Sequence, residues 1–124
     1  MSQPLEKLTR KEEEIMQVLW KLEKAFVNDI RDELPEPKPH RNTVSTMVRN
    51  LQTKGYVGHE AFGPTHRYYP IVTKESYSSE FLGRVMDNYF DQSYKNLVAF
   101  FAKEEKISKK DLEEIIRMIE KGDQ

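Results

Sequence analysis

Apolar residues recur at helical spacing along the first half of the chain. They lie three or four positions apart in three segments, which are Ile15 to Leu22, Ile30 to Leu34, and Val44 to Leu51. Because an α-helix repeats every 3.6 residues, this spacing places the apolar side chains of each segment on one face. The pattern predicts three short helices, each with one buried face.

Capping and helix-breaking residues mark where these helices begin and end. Thr9 and Glu12 have the spacing of a capping box before the first helix. Asn28 is the expected N-cap of the second, and Gly55 fits the C′ position after the third. Three prolines, Pro35, Pro37 and Pro39, separate the second helix from the third.

After Gly55 the apolar period changes from helical spacing to alternation. The segments "YVGHEAF" and "HRYYPIV" flank Gly63 and Pro64, a pattern typical of a β-hairpin. A helix pair followed by a two-stranded ribbon indicates the winged helix-turn-helix fold. In that fold the second helix of the pair enters the major groove of DNA. Here this recognition helix would be the third helix, His40 to Lys54.

From Thr73 onward the pattern is helical again, with a break predicted near Asp91 to Ser93 and a cap at Ser108. We therefore expect a mainly α fold with a small β-hairpin, divided into a winged helix-turn-helix head (1–72) and a C-terminal helical dimerisation arm (73–124). A C-terminal subdomain folded back on its own head is the alternative. The expected interface residues are Tyr77, Phe81, Leu82, Val85, Met86, Tyr89, Phe90, Leu97, Phe101, Leu112, Ile115, Ile116 and Ile119.

Charge is distributed unevenly along the chain. The formal net charge is −1, yet residues 38–72 hold five Lys/Arg and a single acid, Glu60. The predicted third helix contains no carboxylate at all. A solvated basic face is one interpretation, and binding to a polyanion is the other.

The side chains of the third helix favour DNA. A helix beside phosphates excludes carboxylates, whereas arginine, asparagine and threonine can contact base edges. The expected base contacts lie on its first two turns: Arg41, Asn42, Ser45 and Thr46. The expected contacts with the DNA backbone are Thr43, Arg49, Asn50, Lys54, His66 and Arg67.

Other functional classes find little support in the sequence. The chain has no cysteine, and its acidic first helical turn (Glu12 to Glu14) lies near no nucleophile, so we expect a protein that is not an enzyme. We interpret His40, His59, His66 and Glu60 as surface or phosphate contacts rather than metal ligands, and we expect neither a cofactor nor a metal. Without a signal-peptide core or an apolar run of about 20 residues, a cytoplasmic location with no membrane insertion is expected.

Four segments carry a family resemblance: "LTRKEEEIMQVLW", "NTVSTMVRNLQTKGYV", "RYYPIV" and "NLVAFFAKEEKISKKDLEEI". They resemble the penicillinase repressor (BlaI/MecI type) family of bacterial winged-helix repressors, from Leu8 to Ile119. The resemblance implies a homodimeric repressor on an inverted-repeat operator of β-lactam-resistance-type genes. It also implies a membrane sensor-protease that cuts the arm, at a bond aligned with Phe100–Phe101.

Two departures from the family pattern bear on function. The chain has "HRNT" at residues 40–43 where familiar members have Ser-Pro-Lys-Thr, so its DNA half-site is expected to differ. Phe100–Phe101 replaces the family's cleaved Asn–Phe bond, so the cleavage specificity is expected to differ as well. The family's copper-sensing branch uses a C-terminal cysteine cluster, which this chain lacks. The alternative function is a winged-helix module for protein–protein assembly, whose binding would survive high salt.

Overall fold

The structure is a computed structural model that describes residues 5–122. The outermost residues of the two predicted domains, 1–4 and 123–124, lie outside the described residues. In chain order the elements are α1 (Arg10–Leu22), β1 (Ala25–Phe26), α2 (Val27–Glu33), α3 (Arg41–Thr53), β2 (Val57–Phe62), β3 (Thr65–Pro70), α4 (Lys74–Tyr89), α5 (Tyr94–Lys103) and α6 (Lys109–Glu120).

The strands form one antiparallel sheet in the order β1-β3-β2. In the hairpin Val57 pairs with Pro70 and Phe62 with Thr65, which leaves the predicted Gly63-Pro64 turn between the strands. Gly63 has a φ of 61°, a conformation that glycine adopts at little cost. The two-residue strand β1 pairs through Ala25 with Tyr68 of β3.

The core of the head forms where α1, α2 and α3 pack together with the sheet. The α3 residues Val44, Val48 and Leu51 are fully buried, as are Ile15 and Leu19 of α1. Ile30 of α2 and Tyr56 and Val57, which follow α3, complete this cluster. Three helices followed by a hairpin make a winged helix-turn-helix head, as the sequence pattern predicts.

The caps agree with prediction at α1, α3 and α6 but not at α2. Thr9 and Glu12 form the expected capping box on α1. Our assignment of Asn28 as the N-cap of α2 was wrong: α2 begins at Val27, and Asp29 accepts a hydrogen bond from the backbone N–H of Phe26. Pairing with β3 holds Phe26 in an extended conformation, so the helix starts directly after the strand. Periodicity could not reveal a two-residue strand.

A buried ion pair joins α1 to the end of α3. The Lys54 ammonium lies 2.8 Å from Oε1 of Glu12 and donates to the carbonyl oxygen of Lys7 at 3.2 Å. The Glu12 side chain is only 6% exposed. Burial alone would raise the pKa of the Glu12 carboxyl, but hydrogen bonds from Lys54 and Thr9 lower it overall. The pair therefore stabilises the orientation of α3 while Glu12 stays ionised.

The first turns of α4 belong to the head. The Tyr77 ring lies 5.8 Å from that of Trp20 and 5.9 Å from that of Tyr56, and its hydroxyl donates to Glu13. The Leu5 backbone N–H donates to Glu80 at 3.0 Å. The chain accordingly divides into compact units between Glu80 and Phe81, later than the predicted boundary after residue 72. Tyr77, expected in the dimer interface, is instead part of the head's packing.

The C-terminal unit, residues 81–122 of the described chain, contains the rest of α4 together with α5 and α6. Asp91 and Gln92 have positive φ values of 50° and 63°, which produce the predicted break after α4. The Phe90 and Phe100 rings meet edge to face at 5.7 Å. Met86 is buried in the single chain, but α5 and α6 contribute no buried residue. Most of the apolar side chains of this unit are exposed.

Removal of the Glu12 charge is expected to destabilise the head. Glu12→Gln should lower the free energy of unfolding at pH 7 by about 1–3 kcal/mol, because Lys54 loses its buried partner. The pKa of Glu12 is lower in the folded state, so its contribution is present above the ordinary glutamate pKa and is lost as the pH falls through the folded value. Urea unfolding at pH 7 and pH 3, followed by the fluorescence of Trp20, measures the change in the free energy of unfolding and its dependence on pH. The exposed Glu14→Gln is the control, and an equal loss in both variants would contradict the role of the pair.

Candidate nucleic-acid interface

One face of α3 is exposed and carries polar or positively charged side chains. Nδ1 of His40 accepts a hydrogen bond from the Asn42 backbone N–H at 3.1 Å and so caps the helix. Arg41, Asn42, Thr43, Thr46, Arg49 and Asn50 are all exposed, and Ser45 is half-buried. Val44, Val48 and Leu51 are buried on one side of α3. The polar residues occupy the other side of the same helix and therefore face outward.

An open groove runs between α3, the start of α2 and the hairpin turn. Arg41, Ser45 and Arg49 form its α3 wall, since residues four positions apart lie on one helix face. Thr65 and His66 of β3 form the opposite wall. The structure thus brings together three of the predicted α3 contacts and one of the predicted hairpin contacts.

Four of the predicted backbone contacts do not line this groove: Thr43, Asn50, Lys54 and Arg67. Lys54 and Arg67 are paired elsewhere. The ammonium of Lys54 is engaged by Glu12 and the Lys7 carbonyl, as described above. Arg67 lies on the opposite face of β3 from His66, because successive strand residues alternate. Its guanidinium donates to Glu60 at 2.9 Å and lies 4.8 Å from the Phe62 ring centroid.

Glu60, the single acid of the basic segment, is neutralised on the outer face of the hairpin. The hydrogen bond from Arg67 holds the pKa of the Glu60 carboxyl below its ordinary value. The Lys24 ammonium lies 3.5 Å from the same carboxylate oxygen. The one negative charge in residues 38–72 is therefore paired on the face opposite His66.

Sequence reasoning missed a histidine pair at the groove. His59 of β2 and His66 of β3 stack with their ring centroids 4.0 Å apart and their planes 7° apart. The register could have revealed it: a two-residue turn at Gly63-Pro64 pairs His59 with Tyr68 and Ala61 with His66, which places both histidines on one face. Tyr68 lies beside the pair, with its ring centroid 5.8 Å from that of His59.

The described residues also bear on metal binding and membrane insertion. Between residues 5 and 122, no cluster of three or more His, Cys, Asp or Glu side chains could hold a metal ion. Within the same range, no helix is both long enough and apolar enough to cross a membrane.

Comparison with known proteins identifies the family. Residues 8–121 match the family model described as "Penicillinase repressor". The chain belongs to the penicillinase repressor family. This match confirms the resemblance that the four sequence segments indicate, and it spans both structural units.

Similar proteins have names that agree with this membership. The methicillin resistance regulatory protein MecI of Staphylococcus aureus is 22% identical over 109 residues, which cover 87% of this chain and 89% of that protein. The penicillinase repressor of Bacillus licheniformis is 22% identical over 86% of this chain and 84% of its own length. The solution structure of the DNA-binding domain of the repressor BlaI matches with a TM-score of 0.52 and 27% identity, over 62% of this chain and 94% of that domain.

Proposed function

We propose that this penicillinase repressor family member is a homodimeric, sequence-specific DNA-binding transcriptional repressor. The observation that carries the proposal is the α3 face without carboxylates, which adjoins a groove lined by Arg41 and Arg49. Phosphates attract these guanidinium groups, and a carboxylate on the same face of α3 would oppose binding. The similarity to the DNA-binding domain of BlaI supports the same assignment.

The exposed α3 residues divide into two proposed roles. Arg41, Asn42, Ser45 and Thr46 lie on the first two turns, where a recognition helix contacts base edges. Arg49 and Asn50 lie further along the helix, and Thr43, like His66 at the groove wall, would contact the DNA backbone. We leave Lys54 and Arg67 out of this interface because Glu12 and Glu60 pair with them.

The exposed apolar residues of the C-terminal unit support a homodimer. Phe81 is 52% exposed, Tyr89 77% and Ile119 70%. The single chain also leaves other large apolar side chains of this unit exposed: Leu82, Tyr94, Val98, Phe100, Phe101, Ile115, Ile116 and Met118. So extensive an apolar surface marks an interface. We propose that a second copy covers it, with Tyr77 and the already buried Met86 left out.

Two-fold symmetry connects the dimer to its DNA. A homodimer with one recognition helix per head matches an inverted repeat, whose half-sites are related by the same symmetry. The MecI relatives are regulatory proteins of methicillin resistance by name, and we propose regulated genes of the β-lactam-resistance type. The proposed role places the protein in the cytoplasm, where chromosomal DNA is accessible.

The base-reading role is tested on genomic fragments that the purified protein captures. These fragments are expected to share an inverted repeat. Asn42→Ala should weaken operator binding by about 1–3 kcal/mol and relax the preference at one base pair of each half-site. Arg49→Ala should weaken operator and random DNA equally and reduce the slope of log affinity against log salt by about 1.

Fluorescence anisotropy with operator and random duplexes measures these effects. Gln17→Ala, an exposed polar position on α1, is the matched control and should bind like the wild type. If Asn42→Ala lost the same affinity for the two duplexes, Asn42 would contact the DNA backbone and not a base. Binding that is insensitive to salt would contradict the proposed function as a whole.

Disruption of the apolar surface on the C-terminal unit is expected to separate the dimer. Burial of one large apolar side chain contributes roughly 1.5–3 kcal/mol, so Phe81→Asp should yield monomers in sedimentation velocity experiments. Operator affinity should fall steeply because two linked contacts become one, while Trp20 fluorescence reports a folded head. Ser79→Asp adds the same charge about 160° around α4 and should remain dimeric. A monomeric wild type at micromolar concentration would overturn the dimer.

We also propose that a membrane sensor-protease cuts α5 between Val98 and Lys103, which destroys the dimer and thereby releases the DNA. The carbonyl oxygens of Phe100 and Phe101 accept hydrogen bonds from Glu104 and Lys106, so the segment must open before a protease can bind it. Mass spectrometry of the protein from derepressed cells is expected to show fragments that end within this range. Intact protein in such cells would contradict cleavage as the release step.

A further inference from the structure

The stacked histidines connect the recognition helix to the wall of the groove. His59 is half-buried, and its Nδ1 lies 3.1 Å from Oε1 of Gln52 on α3. An amide oxygen can only accept, so the two atoms form a hydrogen bond in the tautomer that carries the proton on Nδ1. His66 is exposed, lies flat against His59 and lines the groove opposite Arg41 and Arg49. His59 therefore links α3 to His66.

Several charged side chains surround the histidine pair, so a phosphate bound in the groove would change the electrostatic environment of the two rings. Arg41 and Arg49 of α3 line the same groove as His66, so positive charge faces this groove from the recognition helix. Asp29 of α2 is the carboxylate that lines it, and its side chain accepts the Phe26 N–H at the start of that helix. Tyr68 lies next to both rings, while Glu60 and Arg67 are paired on the other face of the hairpin.

We propose that His59 is a positioning residue that holds His66 against a DNA phosphate, and that phosphate binding is coupled to protonation of this pair. The inference rests on the proposed DNA-binding function. Histidine changes charge between pH 5 and 8, and an imidazolium donates a charge-assisted hydrogen bond to a phosphate oxygen. Two stacked imidazolium rings would repel each other, so the pair takes up one proton on binding.

Proton uptake makes DNA affinity depend on pH. A complex that binds one more proton than its free components strengthens by at most tenfold for each unit of decrease in pH. Phosphate contacts carry no sequence information, so a 30-base-pair duplex of random sequence is a sufficient probe. We expect its affinity to rise about five- to tenfold between pH 7.5 and pH 6 at constant low salt.

Anisotropy titrations across this pH range with matched variants test the coupling. His66→Gln should lose most of the gain at low pH. His59→Ala, which removes the stacked ring, should lose at least half of it. His59→Phe, which keeps an aromatic ring under His66 but loses the contact with Gln52, should retain more of it than His59→Ala. His40→Asn is the control: it removes a titrating group near the DNA but keeps a good N-cap acceptor, so its pH slope should match the wild type.

NMR of the imidazole Cε1–H groups provides a readout that a structural role alone would not change. At pH 7 the His66 signal is expected to move toward its protonated position when the duplex is added. In His59→Ala this movement should be smaller.

The possible results distinguish failure of the histidine coupling from failure of the proposed DNA-binding function. Absence of duplex binding by the wild type at every pH would overturn the proposed function. Binding with the same pH slope in the wild type and His66→Gln, or loss of that slope in His40→Asn, would overturn the histidine coupling and leave DNA binding intact. If His59→Ala and His59→Phe lost the same share of the gain in affinity at low pH, the positioning role of His59 would be overturned.

Discussion

Burial of the apolar stripe of α3 is the constraint on which the rest of the head depends. Val44, Val48 and Leu51 are fully enclosed, so the helix cannot rotate about its axis without exposing them. That single orientation sends Arg41, Asn42 and the other polar residues outward together. The same packing that stabilises the head therefore defines the polar face that we propose contacts DNA.

The distribution of charge follows from this arrangement. Two acidic residues near α3 are each paired with a cation: Glu12 with Lys54 in the interior, and Glu60 with Arg67 on the outer face of the hairpin. Asp29 of α2 instead lines the groove and accepts the Phe26 N–H. Each pair removes one positive charge from the candidate surface and also keeps a carboxylate away from it. The groove between α3 and the hairpin is thus lined by Arg41, Arg49 and His66, against which His59 stacks.

The head and the C-terminal unit differ in how far they bury their apolar residues. The head encloses a core by itself, with aromatic residues such as Tyr56 and Trp20 packed or hydrogen-bonded within it. The C-terminal unit leaves Phe81, Tyr89 and Ile119 exposed in the single chain. An arm that completes its core through a second copy would make folding of that unit and DNA affinity depend on the same association.

Local patterns in the sequence were sufficient for most elements and for the class of function. Apolar spacing predicts α1, α3 and the hairpin, the Thr9–Glu12 box predicts where α1 begins, and the polar face of α3 without acids favours DNA binding, because these signals act within a few residues. Contacts between distant residues were decided only in the tertiary structure. Lys54 turns to Glu12, Tyr77 joins the head, and a two-residue strand at Ala25 displaces the expected cap at Asn28. His59 and His66 meet only through strand register, since six residues, including the turn, separate them in sequence.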